Sequence, residues 1–190
     1  ILMAFSLILG GILGAVYQIT LPAITQAEYE KTQKAYQAVF ADAESFENLE
    51  YDKAAAEEMM AAGGFKDSIY NGQKAMVGGE VAGYVVTVTA KDGSQGSITM
   101  SVGVRNDGTV NSYSITSIAE TPGLGMKAVE PAFIANFEGK QVEKFEVVKT
   151  APAADNEIEA IAGSTITTDA VANAVNAALV YSRSLVGGAQ

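Results

Sequence analysis

The sequence contains no histidine, no cysteine and no tryptophan. Without cysteine and histidine, the chain has no means of forming a disulfide, an ordinary zinc site, an iron–sulfur cluster or a haem site with the usual ligands. The same absence excludes catalysis by a Ser–His or a Cys–His pair. Any metal ion would need to be a hard cation on carboxylates, and we predict none. Any redox cofactor would need to be organic.

Basic residues are also scarce. The 190 residues include 12 Lys and Arg against 22 Asp and Glu, which gives a net charge of −10. A nucleic-acid partner requires a basic face on the protein. The acidic balance therefore argues against nucleic-acid binding.

Charged residues are missing from the first 27 positions, and the first one in the chain is Glu28. An apolar stretch of roughly 20 residues is enough to cross a bilayer, so we predict a transmembrane helix over residues 1–23. Gly10 and Gly14 form a G-x-x-x-G pair, a spacing that favours close packing against other membrane helices. The alternatives are a lipid-facing anchor with incidental glycines and a cleaved signal peptide, although no A-x-A cleavage site is evident.

The remainder of the chain divides into two predicted regions. Residues 24–64 carry charges with apolar residues at helical spacing, which predicts a helical stalk. Residues 65–190 change to strand-like alternation and end in an amphipathic helix, which predicts a small α+β domain with a mainly antiparallel sheet. The expected elements of this domain are strands at 80–90, 96–104, 109–118 and 143–149, a short helix at 130–137 and a terminal helix at 168–185, capped by Thr167 or Thr168 and closed by Gly187-Gly188.

A glycine-rich segment at 120–127 is the first candidate for chemistry. Pro122 and Gly123 fit the two central positions of a type II turn, where glycine takes positive φ. Leu124 is then expected to project from the loop, which costs exposed apolar area unless a flat group covers it. The segment is either a loop that packs on a planar ring or a surface turn whose leucine enters the core. It reads Glu120-Thr121-Pro122-Gly123-Leu124-Gly125-Met126-Lys127.

A run of hydroxyl residues just before the terminal helix is the second candidate. Serine and threonine cap helices, so the run has a purely structural interpretation. A helix N-terminus also favours a bound phosphate, Gly163 permits close backbone approach, and one hydroxyl offers a point of covalent attachment. Neither a Walker P-loop nor a G-x-G-x-x-G fingerprint is present. The run reads Ile161-Ala162-Gly163-Ser164-Thr165-Ile166-Thr167-Thr168.

Together the two segments resemble the FMN-binding domain shared by the G subunit of the Rnf electron-transport complex and the C subunit of the sodium-translocating NADH:quinone reductase. The family pattern is E-T-P-G-L-G, followed about 35–45 residues later by D/E-x-I-S/T-G-A-T/S-x-T-S/T and a terminal helix; here the first element is intact at 120–125, and the second begins at Glu159. The intact first element and the chain length favour the Rnf subunit. The resemblance covers nearly the whole chain and identifies residues 65–190 as the FMN-binding domain.

The resemblance implies that FMN is joined by a phosphoester to Thr165. Ser164 and Thr167 are the alternative attachment hydroxyls, because Ser164 stands where the family has alanine. The residues expected to flank the flavin ring are Glu120, Thr121, Pro122, Gly123, Leu124 and Gly125, with Lys127 beside a flavin anion. Those expected at the phosphate are Gly163, Ser164, Thr167 and Thr168.

The function implied by the resemblance is a membrane-anchored flavoprotein subunit that relays electrons without being catalytic alone. It belongs to a translocase that couples ferredoxin:NAD⁺ electron transfer to Na⁺ or H⁺ movement. The implied partners are the other Rnf subunits and, during maturation, a flavin transferase, with the domain on the outer side of the cytoplasmic membrane. The alternatives are the quinone-reductase subunit, a lone flavin-tethering protein, and a non-redox extracellular module such as a pilin-like subunit, although position 5 is Phe where pilins carry Glu.

Overall fold

A computed structural model describes residues 2–187, apart from the side chain of Ala4. Gly188, which we expected to help terminate the last helix, lies outside these residues. The helices are α1 (Leu2–Val39), α2 (Lys53–Ala62), α3 (Pro131–Ile134) and α4 (Thr165–Gly187), with a 3₁₀ helix at Gly125–Val129. The strands are β1 (Ser45–Asn48), β2 (Ser68–Val77), β3 (Glu80–Ala90), β4 (Ile98–Arg105), β5 (Val110–Ser117), β6 (Glu146–Val148) and β7 (Glu157–Glu159).

The first of two compact units comprises residues 1–34. Within the described residues, the only helix with the length and composition to cross a membrane is the apolar helix that starts here. Large apolar side chains such as Phe5, Ile8 and Leu13 are more than half exposed along it. Exposed apolar side chains on one long helix are typical of a segment covered by lipid, so the unit fits a single-pass membrane protein.

The second unit begins at Ala35, and this corrects our predicted domain start at residue 65. Tyr36, Val39 and Phe40 are buried and pack with Ala75 and Val85 of the sheet. The segment expected to be stalk also contributes β1, which pairs with β2. Residues 35–62 are therefore part of the domain, because burying their apolar side chains is more favourable than leaving them in water.

The main sheet is a meander of five antiparallel strands in the order β1-β2-β3-β4-β5. The hairpin predicted at 80–104 is confirmed, with Gly83 opposite Arg105 and Ala90 opposite Ile98. Strands β6 and β7 form a separate parallel pair. This agrees with the α+β class that the sequence predicts, although β1, β2 and β7 were not anticipated. Strands β1 and β7 are only three or four residues long, and two register shifts in the pairing of β2 with β3 interrupt the alternation of β2.

Helix α4 packs on β3 and β4 and supplies much of the core. The predicted apolar face is buried as expected, including Val171, Val175 and Leu179. The predicted start was wrong, because α4 begins at Thr165. The backbone N–H of Thr168 donates to the carbonyl of Ser164 at 3.0 Å, which closes the first turn three residues earlier than expected.

Candidate functional site

The turn at 121–124 has the conformation that the sequence predicts. The Leu124 N–H donates to the Thr121 carbonyl at 3.2 Å, and Gly123 has φ of +76°. The side chain of Leu124 is 42% exposed, so the interpretation in which it enters the core is wrong. The turn therefore presents an aliphatic side chain to the outside.

One end of this loop is held by the β3–β4 loop and the other by strand β5. Before the turn, Glu120 is only 6% exposed, and its Oε1 accepts a hydrogen bond from the Gln95 N–H at 3.1 Å. After the turn, the Tyr113 hydroxyl on β5 donates to the Ala128 carbonyl at 2.7 Å. Burial raises the pKa of Tyr113 well above its usual value, so this hydroxyl keeps its proton. Neither Gln95 nor Tyr113 was anticipated, since both contacts join residues far apart in the sequence.

The second segment makes its own tight turn before α4. Gly163 has φ of +77°, and the Ser164 N–H donates to the Ile161 carbonyl at 2.8 Å. The Thr168 hydroxyl accepts from the Ile161 N–H and donates to the Ser164 carbonyl, both at 3.0 Å. Thr168 thus holds the turn closed, and its hydroxyl has a structural role.

The other hydroxyls of the segment differ in accessibility. Ser164 is 8% exposed and Thr167 is fully buried, whereas Thr165 is partly exposed at the first position of α4. Thr165 is therefore the most accessible hydroxyl in the segment at 161–168. The neighbouring Ile166, which the sequence analysis did not select, is 59% exposed. Its position outside the apolar face of α4 could have identified it as an exposed apolar residue.

The two segments lie against each other, with a glycine at each point of contact. An ideal Cβ on Gly163 would lie 3.3 Å from Cδ2 of Leu124. An ideal Cβ on Gly125 would lie 2.9 Å from Oγ1 of Thr167 and 2.8 Å from Oε2 of Glu120. The fold thus brings together the two motifs that stand about 40 residues apart in the sequence.

The remaining predicted residues surround this contact. Thr121, Pro122 and Gly123 are exposed in the turn, and Lys127 is exposed on the 3₁₀ helix. Lys127 also lines a surface cavity of about 310 Å³ together with Phe133. The predicted site residues therefore form one surface region at the start of α4.

This region has the features that a phosphate-bearing flavin requires. The first N–H groups of an α-helix have no partner within the helix and attract phosphate. The hydroxyl of Thr167 is buried without a hydrogen-bond partner among the described residues, and a free donor of this kind suits an anionic oxygen. Leu124 and Ile166 add exposed apolar area of the kind on which an aromatic ring packs.

Comparison with known proteins identifies the family. Residues 93–180, which contain both motifs, match the family model of the FMN-binding domain. The G subunit of the proton-translocating ferredoxin:NAD(+) oxidoreductase complex of Clostridium ljungdahlii is 34% identical over 94% of this chain and 86% of its own length. The chain belongs to the Rnf G-subunit family.

A second G subunit is similarly related to this chain. The G subunit of the Na(+)-translocating ferredoxin:NAD(+) oxidoreductase complex of Acetobacterium woodii is 34% identical over 86% of this chain and 75% of its own length. The crystal structure of the C subunit of Na(+)-translocating NADH-quinone reductase from Parabacteroides distasonis shares the fold. It has a TM-score of 0.56 and covers 84% of this chain and 94% of that chain at 22% identity. The Rnf assignment made from the two motifs is confirmed, and the quinone-reductase alternative is disfavoured.

Proposed function

We propose that this member of the Rnf G-subunit family carries FMN and relays electrons in an Rnf-type complex that couples ferredoxin:NAD⁺ electron transfer to Na⁺ or H⁺ translocation. Membership of that family and the FMN-binding domain over residues 93–180 support this function. The contact between the Leu124 turn and the start of α4 is the structural observation that carries it. The chain is a translocase subunit that is not catalytic alone, and its partners are the other subunits of the complex.

The FMN phosphate is esterified to the hydroxyl of Thr165. Support comes from accessibility, because Thr165 is partly exposed while Ser164 and Thr167 are buried and the Thr168 hydroxyl is engaged on both sides. A flavin transferase must reach the hydroxyl that it modifies. Covalent attachment prevents loss of the cofactor by dilution on the outer side of the membrane.

The chain's own residues hold and orient the cofactor. The N-terminus of α4 stabilises the remaining negative charge of the phosphodiester by roughly 0.3–1 kcal/mol, and the buried Thr167 hydroxyl is a further donor beside it. Leu124 and Ile166 cover apolar surface of the flavin ring, and the positive charge of the Lys127 ammonium stabilises an anionic flavin. Bound there, FMN supplies one- and two-electron redox chemistry.

Mass spectrometry after co-expression with a flavin transferase tests the attachment. The native full chain is expected to carry one FMN on the peptide that contains Thr165, and the flavin should remain with the pellet after acid precipitation. Thr165→Ala should remove the covalent flavin, whereas Ser164→Ala, which removes a neighbouring hydroxyl, should retain it. Covalent flavin in Thr165→Ala at the native level contradicts the assignment.

Assembly and orientation have separate tests. Co-purification of the full chain with multispan membrane subunits distinguishes an Rnf subunit from a lone flavin-tethering protein. Because the sequence contains no cysteine, Glu80→Cys, at the exposed first residue of β3, introduces a single labelling site. We expect an impermeant maleimide to label it from the outside of intact cells, and labelling only after lysis would contradict the outer location.

A further inference from the structure

A second polar cleft lies on the domain, and none of its lining residues belongs to the two motifs. It has a volume of about 480 Å³ and lies between the end of α2, the segments next to β2 and β3, and the middle of α4. Volumes of this size accommodate a small ligand or the end of a long side chain. The lining residues that matter for its chemistry are Lys66, Asp67, Asp92, Glu143, Lys144 and Arg183.

Two carboxylates meet in this cleft because of the strand register. Asp67 immediately precedes β2, and Asp92 follows the end of β3. Ser68 pairs with Thr89 across the antiparallel ladder, so both aspartates lie at the same end of the β2–β3 pair. The sheet thus places two like charges together, an arrangement that costs free energy unless something neutralises it.

One oxygen of each carboxylate also lacks a hydrogen-bond partner among the described residues. Asp67 is only 5% exposed, and its Oδ1 is buried with no partner; the Oδ1 of Asp92 is buried and unpartnered in the same way. Burial and the neighbouring charge of Asp92 raise the pKa of Asp67 to about 6. Within residues 2–187, neither aspartate forms an ion pair, because the ion pairs found there are Lys53–Glu57 and Arg105–Asp42.

The basic side chains that line the cleft do not form ion pairs with the two aspartates. The Arg183 guanidinium donates to the carbonyls of Val142 and Glu143 at 2.7 and 3.0 Å. Lys66 and Lys144 are exposed to water. The two aspartates therefore line the cleft without an ion pair, and one buried oxygen of each has no hydrogen-bond partner among residues 2–187.

We propose that the cleft around Asp67 and Asp92 binds a guanidinium or ammonium group. Charge-assisted hydrogen bonds from such a group to the two carboxylates neutralise their charge and remove their mutual repulsion. A hard metal ion fits less well, because it prefers six or more oxygen ligands and residues 2–187 contain no cluster of three or more His, Cys, Asp or Glu side chains suited to a metal. The group belongs either to a basic side chain of a neighbouring subunit or to a free small amine.

The cleft is connected to the first motif through the β3–β4 loop. Asp92 adjoins Gly93, where an ideal Cβ would lie 3.1 Å from Oε1 of Glu120. The same oxygen accepts the hydrogen bond from the Gln95 N–H. A cation held by Asp92 therefore lies next to the loop that supports Glu120. Because it binds only the folded chain, it should raise the thermal stability of the chain.

Calorimetric titration of the full chain in detergent with agmatine, which carries a guanidinium and an ammonium group, tests the proposal. At about pH 8, where Asp67 is ionised, we expect saturable binding to the native chain. Asp67→Asn and Asp92→Asn should each weaken binding by at least about tenfold. The matched control Glu143→Gln removes an exposed carboxylate from the same cleft and should bind agmatine as the native chain does.

Lowering the pH adds a second readout. Protonation of Asp67 at about pH 5 should weaken agmatine binding to the native chain. The charged groups that face Asp67 are Lys66, Lys91, Asp92, Glu143, Lys144 and Arg183, and the acid-induced weakening should be absent in Asp67→Asn. Thermal unfolding of each variant verifies that it is folded. No saturable binding at pH 8, or equal affinity in Asp67→Asn, overturns the proposal.

Repeating the titration on the assembled complex distinguishes the two sources of the cation. If a neighbouring subunit fills the cleft with a basic side chain, agmatine should bind the isolated chain and not the complex. Asp67→Asn should then also reduce co-purification of that subunit. If the occupant is a free amine, the chain and the complex should bind agmatine with the same affinity.

Discussion

Leu124 and Gly163 form the contact at which the two motifs meet. Cδ2 of Leu124 lies 3.3 Å from the position of an ideal Cβ on Gly163, closer than side chains ordinarily approach one another. Gly163 also has φ of +77°, a conformation that L side chains rarely adopt. Position 163 therefore requires glycine for two reasons. The backbone turn needs positive φ, and a side chain there would crowd Leu124 of the other loop.

Gly163→Ala tests this contact. Positive φ alone costs an alanine roughly 1–2 kcal/mol of folding free energy, and the new methyl group also pushes Leu124 away from the start of α4. We expect lower stability in urea unfolding together with a lower yield of covalent flavin. The matched control is Gly139→Ala, since Gly139 has φ of +69° with open space around its Cα. It should lose similar stability and keep its flavin, and equal loss of flavin in both variants would contradict a specific role for the contact.

Glu120 is predicted to support the Leu124 loop through its carboxylate. Glu120→Ala removes the acceptor for the Gln95 N–H and should lower the free energy of unfolding by about 1–2 kcal/mol. Glu120→Gln keeps an oxygen acceptor and should lose less. Urea unfolding of the two variants, followed by the flavin yield of each, makes the comparison. If the free energy of unfolding falls equally in the two variants, the hydrogen bond from Gln95 is not what supports the loop.

Local rules explain which features were predicted from the sequence. The Pro122-Gly123 turn and the terminal helix depend on residues close together in the chain, so turn preferences and apolar spacing identified them. The docking of Tyr36 and the partners of Glu120 and Thr168 depend on contacts formed only in the folded chain. A run of hydroxyls in the sequence does not distinguish the accessible Thr165 from Thr168, whose hydroxyl closes a turn.

Asn176 is predicted to be the residue that fixes α4 to the segment before β6. It is 2% exposed, and its side chain accepts from the Phe145 N–H at 2.7 Å and donates to the Phe145 carbonyl at 2.9 Å. Asn176→Ala leaves two buried backbone groups unpaired and should cost roughly 2–4 kcal/mol. Asn173→Ala, one turn earlier on the same helix and only half-buried, should cost less than about 1 kcal/mol. Thermal or urea unfolding compares them, and similar losses would show that the Phe145 contacts contribute little.

Asp67 is predicted to make the stability of the chain fall as the pH rises from about 4 to above 6. Its pKa is raised from 3.8 to about 6, first by burial and then by the charge of Asp92, so the folded state binds this proton more tightly than the unfolded state. The stabilisation is complete below the unfolded pKa and is lost as the pH passes the folded pKa. For this shift the loss amounts to about 1–3 kcal/mol.

Asp67→Asn removes this titration while keeping the shape of the side chain. Other carboxylates also contribute to the pH dependence, because burial and Asp92 raise the pKa of Asp169, whereas the Arg105 guanidinium lowers the pKa of Asp42. The quantity to measure is therefore the free energy of unfolding of the native chain minus that of Asp67→Asn at each pH, without added amine. This difference should fall between about pH 4 and pH 7 and then level off, with the asparagine variant relatively more stable at neutral pH. A difference that rises with pH or does not change would mean that Asp67 is already neutralised in the folded chain by a group other than a proton.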